Sequence, residues 1–268
     1  MLLNYFPGWP APVAPLLIAG DDHYFEISEQ EFGFVASIIT LGCAISCLPI
    51  GALMSRFGRK STMLGLVVPF MIGWVLVTWS TCFEMLLAGR FIIGLAGGAF
   101  CVSAPQYSAE IAEKEIRGIV GTFFQLLIIS GILFAYIVGA FMPPFLTNVI
   151  CGIIPLIFGA IFSWMPESPV YLVIKKRDED AVKSYKWLRG NSYDPQNEIN
   201  DLKADLAENE KCKTSFGEVL KRKATVRALI IGFGLMFFQQ MSGINIVVFY
   251  ATTIFKVSSI CGNLAISN

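Results

Sequence analysis

Neutral amides stand inside two of the long apolar runs in a suggestive pattern. Gln125 lies in the run 119–142, and Gln239, Gln240 and Asn245 lie in the run 228–255. Each amide offers two N–H donors and a carbonyl acceptor without the cost of a buried charge. That chemistry matches a neutral ligand rich in hydroxyls, each both donor and acceptor. Hydrogen bonding between helices is the plainer use of the same groups. Ser242 and Gly243, between the amides, are expected to break their helix, as membrane helices break where they bind ligands.

A second set of polar residues sits where the apolar runs end. Gly51-Ala-Leu-Met-Ser-Arg-Phe-Gly-Arg-Lys60 joins two glycines, which permit a tight turn, to three cations. Pro105-Gln-Tyr-Ser-Ala-Glu110-Ile-Ala, Arg117-Gly118 and Pro166-Glu-Ser-Pro169 stand at corresponding ends of later runs. Gly89-Arg90 is followed by Gly94, Gly97 and Gly98, small residues that let helices approach closely. Arg90 is the one ionisable residue well inside a run. Such a charge is a functional candidate by default. Its position about one turn from the run's end would let it snorkel, and a structural role is the favoured reading.

Other chemistries find no support. His23 is the only histidine and has no plausible catalytic partners. Cys43, Cys47, Cys101 and Cys151 lie in apolar runs and form no CxxC pair, so neither a zinc site nor a thiol redox centre is expected. No GxxxxGK[ST] loop occurs, and no cofactor is expected. A net charge of zero gives a nucleic-acid partner no electrostatic support.

The elements that position these residues follow from composition. Of 268 residues, 55% are hydrophobic and only 15% charged, with mean hydropathy +0.63. Soluble domains carry about 25% charged residues. Between Glu31 and Glu84 the only charges are Arg56, Arg59 and Lys60, and between Arg117 and Glu167 there is none. A helix needs about 20 apolar residues to cross a bilayer. Spans are expected near 33–54, 62–80, 85–107, 119–142, 147–165 and 228–255. Trp9, Trp74, Trp79 and Trp164 fall near their ends and read as an aromatic belt. The basic loops 55–61, 108–118 and 166–227 share one side, which is cytoplasmic by the positive-inside rule. Asp21, Asp22, Glu26, Glu29, Glu31 and Glu84 fall opposite.

The segment 166–227 is the one polar stretch, expected to form short amphipathic helices. Asp178 is the expected cap of one, with Ala181, Val182, Tyr185 and Leu188 as its apolar face and Gly190 as its stop. Asp194-Pro195 opens a second, with Ile199, Leu202 and Leu206 on one face. Ser215 and Glu218 form a capping box for a third.

Taken in order, these motifs resemble the sugar porter family of the major facilitator superfamily, in particular its facilitated trehalose and facilitative glucose transporters. The pattern G-x-L-x-D-R-x-G-R-R/K, G-R-F, P-x-Y-x-x-E-I-A with R-G, P-E-S-P-R and Q-Q-x-S-G-x-N runs through nearly the whole chain. The resemblance implies an all-α membrane protein, a partial major facilitator fold of about six spans plus a cytoplasmic helical loop. It assigns 1–31 to the remnant of a first helix and an outer loop, and 32–165 to helices two to six. It assigns 166–227 to the cytoplasmic loop domain, and 228–268 to helix seven and the opening of helix eight. Against twelve family helices, most of helix one and helices eight to twelve are expected to be absent.

The resemblance implies roles for residues. Gln125, Gln239, Gln240 and Asn245 correspond to sugar-binding positions, and Phe249 and Tyr250 to outer-gate aromatics. Arg56, Arg59, Glu110, Arg117 and Glu167 correspond to the ion-pair network that closes the inner gate. Two partners of that network are replaced, by Ser55 and Val170. Their loss is expected to weaken the gate by roughly 1–3 kcal/mol where the pairs are partly buried, biasing the protein toward the inward-open state. No carboxylate stands inside the expected spans, which favours facilitated diffusion of hexose or trehalose over proton symport. A non-transporting homologue acting as sensor or partner subunit is the alternative, and a drug or organic-ion antiporter ranks behind it. A membrane enzyme ranks last. The expected partners are a sugar, the lipid bilayer and a second transporter chain.

Overall fold

The computed structural model describes residues 8–10, 13, 27–113, 115–211, 223–248, 250, 251 and 254. The chain divides into two compact units, Met1–Tyr193 and Asp194–Asn268. Among the described residues the regular structure is entirely helical.

The first unit begins with α1 (Glu29–Phe57). Its start is fixed by a reciprocal cap: Ser28 Oγ accepts from the Glu31 amide while the Glu31 carboxylate accepts from the Ser28 amide. Then come α2 (Arg59–Thr78), α3 (Phe83–Ile111), α4 (Arg117–Phe141) and α5 (Pro144–Phe162). All five are long and apolar enough to cross a membrane. The sequence treated 55–61 as a loop, yet α1 and α2 are separated by Gly58 alone, at φ 98°. Charge marks where the chain leaves an apolar medium, not where its helix ends.

Helix α3 is the centre of this unit and packs on both α1 and α2. Glycine makes that packing close. A Cβ on Gly94 would overlap the Ile39 carbonyl oxygen, and one on Gly42 would lie 2.6 Å from the Phe91 oxygen. α5 joins through aromatic edges, with Phe100 and Phe158 at 5.1 Å and 84°. Each such pair contributes about 0.5–1.5 kcal/mol beyond its area. Outward faces are as apolar as the core: Phe123, Leu126, Ile129, Leu133 and Ile137 of α4 are all exposed. A continuous face of that kind belongs in lipid rather than water. Trp79 and Trp164 are exposed, as a belt requires, whereas Trp9 and Trp74 are buried in the core. Position in the sequence gave their depth but not their direction.

Two short helices follow, α6 (Pro169–Ile174) and α7 (Asp178–Arg189), packed on each other. α7 stops at Gly190, φ 97°, and buries Ala181 and Tyr185. Its N-cap is Arg177, not Asp178, which is the first helical residue. Asp178, Glu179 and Asp180 therefore fill the first turn, where carboxylates complement the helix dipole. Arg177 donates to Asp180 at 2.7 Å, and that bond holds the exposed Asp180 carboxyl below its usual range.

In the second unit, α8 (Gln196–Lys211) opens where Asp194 Oδ1 accepts from the Gln196 amide at 3.1 Å, and it buries Ile199. The Ser215–Glu218 capping box lies outside the described residues. α9 (Lys223–Met241) is the sixth candidate span. The span expected over 228–255 is interrupted at the expected break. The chain turns at Ser242 and Gly243, φ 69°, and is helical again over 244–248.

Candidate functional site

Two sets of side chains stand out, one in each unit. The first is built around the Gly58 turn. The left-handed φ there lets α2 start immediately after α1 and leaves its first amides pointing outward. Arg59 N and Lys60 N both donate to Glu167 Oε1, at 3.0 and 2.9 Å, and Ser168 N donates to the same oxygen at 2.9 Å. The carboxylate thus sits at the positive end of a helix, a favourable anion site. A Cβ on Gly58 would lie 3.0 Å from both Glu167 Cδ and Tyr171 Cε1, so glycine also makes room for this contact.

Arg59 turns its side chain to Glu110 at the end of α3. Nε lies 2.8 Å from Oε2, and Nη2 lies 2.8 Å from Oε1. The two side chains are only 8% and 13% exposed, so this two-pronged pair is largely shielded from water. Glu110 also accepts from Ser168 Oγ and from Gln106 Nε2 at 3.1 Å. The Arg59 guanidinium lies over the Tyr171 ring at 5.3 Å. Three further bonds close the cluster: Tyr107 OH to Pro166 O at 2.8 Å, Tyr171 OH to Arg56 O at 3.0 Å, and Ser184 Oγ to Glu167 O at 2.7 Å. Arg189 on α7 reaches Glu113 at 3.6 Å. The helices α1, α2, α3, α6 and α7 are thereby fastened at one end.

Arg59, Glu110 and Glu167 are therefore brought together. Arg56 and Arg117 are exposed; the Arg56 guanidinium lies 5.4 Å from the ring centre of its neighbour Phe57. Ser55 Oγ bonds to the Gly51 carbonyl of its own helix at 2.8 Å, and Val170 is half-buried. The sequence reading assigned no part to Tyr107, Ser168, Tyr171 or Ser184. The first two stand inside motifs already singled out, and their hydroxyls were the available signal.

The second set lies at the interruption after α9. Asn245 Nδ2 donates to Gln240 Oε1 at 2.7 Å across the Gly243 turn. Ser242 Oγ donates back to the Gln239 carbonyl at 2.6 Å. Gln239, Gln240 and Asn245 are all exposed, within a helix whose other exposed side chains are largely apolar. Gln125 is exposed on α4 and belongs to the other unit. Tyr250 is also exposed, and Phe249 lies outside the described residues.

Arg90 corrects an expectation. It does not snorkel; it is fully buried, with its guanidinium 4.6 Å from the ring centre of Trp9. Trp9 Nε1 in turn donates to Asn148 Oδ1 on α5. A cation over an indole face in a desolvated site is favourable by about 2 kcal/mol. That arrangement is structural, linking Trp9, α3 and α5.

Among the described residues the structure is helical with six candidate spans, polar contacts gathered at one end of the first unit and amides at a broken helix in the second, the make-up of a multi-pass membrane protein. Comparison with known proteins gives its family. The profile of the family "Sugar (and other) transporter" matches residues 14–264, and the chain belongs to that family. It is 34% identical over 242 residues to the facilitated trehalose transporter Tret1 of Bombyx mori, covering 90% of this chain and 48% of that protein. It is 31% identical over 259 residues to Tret1 of Apis mellifera ligustica, covering 96% and 52%. The chain thus spans about half the length of these relatives. Among solved structures it is similar to the E. coli xylose transporter XylE in a partially occluded inward-open conformation. That match has TM-score 0.75 at 23% identity, over 93% of this chain and 64% of the other. It is also similar to the major facilitator superfamily proton:xylose symporter XylE bound to 6-bromo-6-deoxy-D-glucose, with TM-score 0.76 at 24% identity, over 96% and 61%. The fold is that of the major facilitator superfamily, in part, and the chain is a multi-pass protein of the plasma membrane.

Proposed function

We propose that the chain is the first half, with the opening of the second, of a facilitative sugar transporter that moves hexose or trehalose by alternating access. In this reading 32–165 carries helices two to six, 166–227 is a cytoplasmic helical domain, and 228–268 begins the second half. The observation that carries the proposal is the exposed Gln240–Asn245 amide pair at the Gly243 turn of an otherwise apolar span. A bonded amide pair leaves donors and an acceptor free on its outer side, which suits vicinal hydroxyls. Gln239 and Gln125 supply further amides, and Phe249 and Tyr250 act as outer-gate aromatics. Its similar proteins include facilitated trehalose transporters and a xylose symporter, which supports a sugar as substrate.

Arg59, Glu110 and Glu167 act as the inner gate, with Arg56 and Arg117 joining them in another state of the cycle. Ser55 and Val170 stand where two further partners would, so the gate favours the inward-open state. Among the described residues the interiors of the spans carry no carboxylate, which favours passive transport over proton symport. The protein is a transporter rather than an enzyme, and the loops 55–61, 108–118 and 166–227 face the cytoplasm.

The test is uptake of labelled glucose and trehalose by transport-deficient cells expressing this chain, with surface expression verified. Uptake that is lost on Gln239→Ala is expected, either from the chain alone or from its assembly with a second copy. Surface expression without uptake would count against transport by this chain and favour a partner or sensor role.

A further inference from the structure

Beside the charge cluster the first unit has an open cavity of about 530 Å³ that none of the roles above uses. Its walls come from the last residue of α1, the first turn of α2, Pro166 and Glu167 before α6, and α6 and α7 with Arg177 between them. We propose that this cavity binds the phosphate headgroup of an anionic phospholipid from the leaflet that this end of the bundle meets.

Four observations carry the proposal. First, the cavity adjoins the point where two candidate spans, α1 and α2, leave the apolar zone, so it lies at headgroup depth. Second, Lys60, Arg177 and Lys183 line it, together with the Ser61 hydroxyl. Third, the acids in its wall are already compensated. Glu167 is held by the backbone amides of Arg59, Lys60 and Ser168, and Asp180 is flanked by Arg177 at 2.7 Å and Lys183 at 3.6 Å. The Lys60 ammonium donates to a neutral carbonyl, that of Ser163 at 2.8 Å, and keeps its positive charge for a further anion. Fourth, Phe57 and Trp187 line the same cavity and are each 56% exposed. Large apolar groups beside cations are costly against water but suit the boundary between headgroup and acyl chain. A free phosphate would use the cations and leave these rings without a partner; a lipid uses both.

The experiment is native mass spectrometry of the full chain released from nanodiscs of phosphatidylcholine containing a minor fraction of phosphatidylserine. Wild-type protein is expected to retain one phosphatidylserine in strong preference to phosphatidylcholine. Lys60→Gln with Lys183→Gln is expected to lower that retention at least about tenfold, given roughly 1 kcal/mol per cation near an anionic surface. Lys60→Arg with Lys183→Arg is expected to keep it. Lys186→Gln, on the same helix but outside the cavity, is expected to leave it unchanged. Equal retention of the two lipids by the wild type would overturn the proposal without any variant. So would an equal loss in Lys186→Gln, which would mean diffuse attraction. Displacement of the lipid by millimolar inorganic phosphate would overturn the lipid as occupant.

Discussion

The two polar regions of this molecule are built in opposite ways. Where α1 ends and α2 begins, Arg59 and Glu110 are largely shielded from water, Glu167 is half-buried, and each charge meets several partners. At the turn after α9, Gln240 and Asn245 are exposed and share one bond. Shielded charges must be satisfied completely, because a partner removed leaves an uncompensated ion. Exposed neutral amides carry no such penalty and can exchange partners with water or a ligand. The first construction suits a latch that holds helices; the second suits a surface that takes up and releases a hydroxylated molecule.

Breaking the latch should have the largest effect on stability. Glu110→Ala strands Arg59 and removes the acceptor of Ser168 and Gln106, and should cost about 2–3 kcal/mol, read as a lower melting midpoint in detergent. Next comes Gly58→Ala. Its φ of 98° and its crowding by Glu167 and Tyr171 should together cost about 1–3 kcal/mol. The matching change at the other turn sharpens the comparison. Gly243 has φ 69° but open space around it, so Gly243→Ala should cost about 1 kcal/mol, from backbone strain alone. A Gly243→Ala loss as large as that of Gly58→Ala would mean that the second turn is packed as tightly as the first.

Asn245→Ala should separate stability from function. The melting midpoint should stay within about 0.5 kcal/mol of wild type, while sugar uptake falls by about tenfold, the worth of one ligand hydrogen bond. The smallest effect belongs to Asp180. Arg177 lowers its carboxyl pKa, so the pair's contribution is complete above the ordinary aspartate range and is lost as pH falls through the lower folded-state value. Wild type and Asp180→Asn should therefore differ slightly near neutrality and converge in acid. A difference that grew in acid would reverse the sign of that shift.

Much of this was legible in the sequence, for reasons the structure makes plain. Spans follow from runs without charge. The Gly190 stop, the Asp194 opening and the break at Ser242 and Gly243 are local events, set by residues within a few positions of one another. The cluster's wiring was not legible. Glu167 meets amides 108 and 107 residues away, and backbone donors leave no mark in composition. The structural role favoured for Arg90 stands, but its inward direction was hidden for the same reason: the residues around it include Trp9, whose own partner Asn148 is 139 positions distant. Hydropathy placed Arg90 near an interface, and only tertiary packing turned it inward. The motifs held Glu110, Arg59 and Glu167 as candidates; which of the five charges would meet depended on helix ends that hydropathy blurs.

The most direct test of the contrast is equilibrium binding of labelled glucose and trehalose to the purified chain in nanodiscs, for wild type, Gln240→Ala and Glu110→Gln. The account predicts that one of these sugars binds wild type, that Gln240→Ala loses it with an unchanged melting midpoint, and that Glu110→Gln keeps it while melting earlier. Binding unaffected by Gln240→Ala, or lost equally in both variants, would contradict the assignment of the broken span as the sugar site.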